Sequence, residues 1–150
     1  MLARTHSWDK LAVSGYLVDA YCLGAKNATG PDIQTEMELR RFRAHYFSAY
    51  PQGWQDAPLD LAQHLVFGGA AYAHSLGFEP HQDFAACSAQ LDTWSGPAAI
   101  TFGKDGRPLY ISGPYDSPSL VTTTLNRSVG KGNYDFVLGA PELDTFDRRG

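Results

Sequence analysis

The chain has 150 residues, the size of one globular domain and too few for two full cores. Hydrophobic residues make up 43% and charged ones 19%, so it can bury a core and is no disordered tail. Twelve Lys and Arg against sixteen Asp and Glu leave a net charge of −4, which argues against coating nucleic acid or an acidic membrane.

The first hairpin is read as Leu2–Trp8, a turn at Asp9-Lys10, and a longer strand over Leu11–Cys22. Leu11, Val13, Leu17 and Tyr21 share one face, and Ala12, Tyr16, Val18 and Cys22 the other, as in a strand covered on both sides. Gly24 ends it, and Ala28-Thr29-Gly30-Pro31 reads as loop. A helix follows, starting near Pro31 or at Thr35, which has capping-box spacing to Glu38. Its apolar stripe is Leu39, Phe42, Tyr46 and Tyr50, opposite Arg40, Arg41 and Arg43, and Pro51 stops it.

A second helix opens near Pro58 and carries the stripe Leu61, Leu65, Gly68, Tyr72 and Leu76, with Gly77 as its left-handed end. Gly68-Gly69 in its middle costs about 1 kcal/mol per glycine and points to close approach of a backbone or a ligand. Pro80 opens a third helix with Phe84, Cys87 and Leu91 on one face. Asp105-Gly106 is a preferred type I′ turn, predicting a hairpin that pairs Phe102 with Leu109 and Ile100 with Ile111. A last helix, capped by Ser117, runs to about Val129; Tyr134–Leu138 forms a short strand, and 141–150 is a frayed tail behind a domain over 1–140. The order ββ-ααα-ββ-α-β predicts one α+β domain with four helices and a mainly antiparallel sheet.

Two cysteines without a CxxC pair suit free thiols and a cytoplasmic location, and no signal peptide or membrane span is expected. The candidates for chemistry are Asp19, Cys22, Lys26, His64, His81 and Asp83. Asp19 stands in an apolar stretch, where a carboxylate is desolvated unless paired, and Lys26 is a cation within reach if the chain turns at Gly24. The alternative for Asp19 is a cap on that turn. Cys22 is a nucleophile if His64 or His81 lowers its pKa, and otherwise a small buried hydrophobe. His64 is a core polar group or an acid–base group, and Asp83 either orients His81 or stabilises a helix dipole. Tyr72, Phe78, Tyr110 and Tyr115 are candidate substrate-binding walls. The spacing matches no metal signature, and no GxGxxG, Walker A or GxSxG motif implies a cofactor.

Three segments, YLVDAYCLGAKN (16–27), FGGAAYAHSLGFEPHQDF (67–84) and FGKDGRPLYISGPYD (102–116), together resemble a family of small, uncharacterised bacterial proteins. Its patterns are D-x-x-C-L-G-x-K and S-L-G-F-x-P-H-x-D-F, and Ala25 departs from the Val expected there. The resemblance singles out Asp19, Cys22, Lys26, His81 and Asp83 as a set and lends no reaction.

The leading expectation is an enzyme acting on a small-molecule substrate by acid–base or cysteine thiol chemistry. A second reading is a non-catalytic module whose aromatic groove binds a protein partner. A third, a metal-dependent nuclease with Asp19 and Asp83 holding Mg²⁺, has the net charge against it. No membrane partner is expected, nucleic acid is disfavoured, and a homodimer is left open. A pocket shared by Asp19 and His81 favours the enzyme, and an aromatic patch without convergent polar groups favours the module.

Overall fold

Strands β1 (Leu2–Ser7), β2 (Lys10–Asp19) and β3 (Gly24–Thr35) form an antiparallel meander with β2 in the middle. The computed structural model describes residues 1–96 and 100–139. Ala12, Val13 and Ser14 are all buried, so this part of β2 is covered on both faces, as its sequence predicts. The segment 28–31, read as loop, instead lies inside β3. Gly30 is at φ +95°, and a bulge there absorbs one extra residue between the pairs Val13–Asp32 and Gly15–Thr29. A second bulge leaves Lys26 unpaired between Leu17–Asn27 and Val18–Ala25.

Helix α1 (Glu36–Phe47) begins at a complete capping box, which settles its start at Thr35. The Thr35 hydroxyl accepts from the Glu38 N–H at 3.2 Å, and the Thr35 N–H donates to the Glu38 carboxylate at 2.7 Å. No residue of α1 is fully buried. Its rings pack on one another instead: Phe42 on Tyr46 at 5.5 Å, Tyr46 on Phe47 at 5.1 Å, and Phe47 on Trp54 at 5.3 Å.

Helices α2 (Leu59–Gln63) and α3 (Gly69–Ser75) are joined by a π-helical turn over His64–Gly68. The extra residue of that turn shifts the helical face, so the predicted stripe splits. Leu76 and Gly68 are buried, whereas Leu61 is exposed. The two glycines admit close neighbours, as their helical cost suggested. A Cβ on Gly68 would meet the Phe102 ring at 2.7 Å, and one on Gly69 would meet Val18 at 2.9 Å. The helix ends in a Schellman motif: Gly77, at φ +91°, donates to the His74 carbonyl, and the Phe78 N–H donates to Ala73. The third helix, α4 (Phe84–Ser88), starts four residues after Pro80 and ends in a 3₁₀ turn over Ala89–Leu91.

The second hairpin shrinks to its turn. Asp105 and Gly106 both have positive φ, and Lys104 and Arg107 exchange hydrogen bonds of 2.8 and 3.0 Å, as type I′ geometry requires. The predicted pairs Phe102–Leu109 and Ile100–Ile111 do not form. Gly103, at φ +78°, breaks the strand, the Ile100 N–H goes to His64, and Phe102 packs on the helix glycines. Strand β4 (Leu109–Ile111) pairs instead in parallel with β5 (Asp135–Val137), after α5 (Pro118–Ser128). Ser117 is the N-cap of α5, but its side chain makes no capping bond. The architecture is α+β: among the described residues, an antiparallel three-stranded sheet, a small parallel pair and four helical segments, α2 and α3 forming one of them through the π turn. The core gathers Cys22, Leu76, Tyr110, Val121 and Leu125. Among the described residues no helix is long and apolar enough to cross a membrane. The tail read as frayed lies outside the described residues.

Candidate functional site

The D-x-x-C-L-G-x-K segment folds into a turn on which four other parts of the chain converge. The Asp19 carboxylate accepts the N–H groups of Tyr21 at 2.8 Å, Cys22 at 3.3 Å and Leu23 at 3.0 Å. That is the cap on the Gly24 turn, with both carboxylate oxygens engaged. The outward carbonyls of Ala20 and Tyr21 accept from Gly103 and Leu109, which docks the type I′ turn and β4. Gly24, at φ +63°, abuts Gly69 and Ala73 of α3. The Ala25 carbonyl accepts the His81 N–H at 3.1 Å, tying down the S-L-G-F-x-P-H-x-D-F segment. The three segments 16–27, 67–84 and 102–116 therefore meet at one structural junction.

Lys26, on its bulge, points across to the loop before α5. Its ammonium lies 2.9 Å from each oxygen of Asp116, whose carboxylate also accepts the Gly113 N–H at 2.7 Å. Asp116 is the group that sequence reading missed: the cation–carboxylate pairing crosses 90 residues, and the only local signal was the turn chemistry before α5. The Tyr110 hydroxyl is buried beside them, and burial, then the neighbouring Asp116 carboxylate, push its pKa up.

The other candidates stand apart. His64 is buried, stacked on Trp94 at 4.9 Å and edge-on to Phe102 at 5.7 Å, and its Nδ1 accepts the Ile100 N–H at 3.2 Å. It organises the chain around Trp94 and Ile100. His81 Nδ1 accepts the Asp83 N–H at 3.2 Å, while the Asp83 carboxylate is 3.7 Å away, too far to hold the imidazole. Of the substrate-wall candidates, Tyr110 is in the core, Phe78 packs against it, Tyr72 stacks on Phe102 at 5.9 Å, and Tyr115 is 99% exposed. Among the described residues no three His, Cys, Asp or Glu side chains converge on a metal-sized point.

Both cysteines are free and buried, as expected. Burial, then the charges of Asp19 and Asp116, push the Cys22 thiol up to about 12, against an ordinary value of 9.0. A thiol so held is a poor nucleophile at neutral pH. It also sets a sign. Between pH 9.0 and about 12 the unfolded chain gives up a proton that the folded chain keeps, so stability is full below 9.0 and falls across that window. In urea unfolding at pH 8, 9 and 10, we expect stability to decline above pH 9, with a shallower decline in Cys22→Ala.

A different region of the surface is concave. Between β2, the end of α1 and the α2–π segment lies an apolar groove of about 540 Å³. Leu17 of β2, Tyr50 and Trp54 after α1, and Leu59 and Leu61 of α2 line it, each between 38% and 48% exposed. No charged side chain lines the groove. Tyr46 closes one wall, its hydroxyl pressed over Gly15 where a Cβ would lie 3.1 Å away. Comparison of the chain with protein-family models, curated proteins and solved structures returned no match.

Proposed function

We propose that the chain is a non-catalytic binding module that takes a small apolar molecule into the groove between β2, α1 and α2. The observation that carries this reading is the division of labour among side chains. Asp19 is spent on three backbone N–H groups, Lys26 on Asp116, and His64 on its aromatic stack. By contrast, Leu17, Tyr50, Trp54, Leu59 and Leu61, all half-exposed, gather on one groove, whereas the other exposed apolar side chains, such as Ile33, Ile111 and Phe136, line no part of it. Burying such surface is the main source of affinity for small ligands, and about 300–1,000 Å³ is the usual size of their clefts. Rigid rings at one wall and Leu side chains at the other suit an alkyl or aryl body.

The test is a titration with decanol, followed by tryptophan fluorescence and by calorimetry. Saturable binding is expected, with the fluorescence change lost in Trp54→Phe. Leu61→Ser removes half-exposed wall and weakens binding about fivefold, since about 1 kcal/mol of apolar contact is lost. Absence of binding by decanol and by charged chains of equal length removes the reading.

A further inference from the structure

We infer that the groove's occupant is an anionic amphiphile, with its apolar body against Leu17 and Leu61 and its acidic head on Arg43. This rests on the binding-module reading and adds the chemical class of the ligand. Trp54 is a wall shared by the groove and an adjoining cleft of about 390 Å³ lined by Glu36, Leu39, Arg40, Arg43 and Ala44. The Arg43 guanidinium lies over the Trp54 ring, 4.1 Å from its centroid. Arg43 and Phe47 are one helical turn apart and both contact Trp54, so the guanidinium lies in the adjoining cleft, on the ring that the cleft shares with the groove.

Among the described residues Arg43 has no carboxylate within ion-pair distance, and its neighbour Arg40 has only a loose contact of 3.7 Å with Glu36. A stacked guanidinium keeps its N–H edge free, and that planar fork matches a carboxylate. Asp60 of α2 accepts the Leu61 N–H at 2.9 Å and no acidic side chain lines the groove itself, while Glu36, the acid of the adjoining cleft, is paired with Arg40 rather than Arg43. An apolar groove that shares its Trp54 wall with a cleft holding the Arg43 guanidinium is the complement of a chain with a carboxylate at one end.

The experiment compares decanoate, decanol and decylammonium by calorimetry at low and high salt. Decanoate is expected to bind about tenfold tighter than decanol, with decylammonium weakest and the decanoate advantage shrinking in salt. Arg43→Gln closes the gap between decanoate and decanol, while Arg41→Gln, on the outer face, leaves the wild-type order in place. Equal binding of decanoate and decanol, or preference for decylammonium, overturns this inference and leaves the binding module standing. No binding by any of the three overturns both. A dimer at micromolar concentration that binds none of them and dissociates in Leu61→Ser overturns both in favour of a second copy as occupant.

Discussion

Gly24→Ala is expected to destabilise the chain by about 3 kcal/mol or more, the sum of left-handed strain and overpacking. Gly24 has φ +63°, and a Cβ there would stand 2.6 Å from both the Ala73 Cβ and the Gly69 carbonyl oxygen. Neither neighbour is the flexible end of a side chain, so the helix itself has to move. Gly106→Ala supplies the contrast. Its φ is +77° but a Cβ meets nothing within 4 Å, so strain alone remains, about 1 kcal/mol. Urea unfolding of the two variants separates the clash from the strain. Equal losses would mean that β3 does not start against the backbone of α3.

Asp19→Asn carries the second large effect and bears on function. The asparagine oxygen can replace the carboxylate oxygen that accepts from Tyr21 and Cys22. Its amide nitrogen then faces the Leu23 N–H, where a donor is needed by neither side. Losing that bond and the charge costs about 2 kcal/mol, and Asp19→Ala, which frees three N–H groups, two of them partly buried, about 3 kcal/mol. A proton-transfer residue held under strain behaves differently, and its neutral replacement leaves stability intact or raises it. His81→Gln is the mild companion, since only the Asp83 N–H loses an acceptor. Unchanged stability in Asp19→Asn would return the acid–base reading to the front.

What was legible in the sequence was local and periodic. Thr35 with Glu38 marked a helix start, Gly77 marked an end, and Asp105-Gly106 marked a turn, because each is decided by backbone conformation within a few residues. The missed features were set at long range. Residues 28–31 carry loop chemistry yet stay in a strand, because β2 supplies pairing partners on either side of a bulge. The second hairpin failed because Phe102 packs against Gly68 rather than a cross-strand partner. The cluster of Asp19, Cys22 and Lys26 was found, but spacing could not distinguish groups that do chemistry from groups that hold a junction. That distinction needed the hydrogen-bond partners, and Asp116 above all. The groove was half visible as the aromatic stripe of α1. The π turn, which aims Leu61 at the groove rather than at the core, left no periodic signal.

The most direct test is amide and methyl chemical-shift mapping of the labelled protein during titration with decanoate. The account predicts saturable shifts at Leu17, Tyr50, Trp54, Leu59 and Leu61, with residues 19–26 and 110–116 unmoved. Shifts centred on Asp19, Lys26 and His81, with the groove silent, would contradict it.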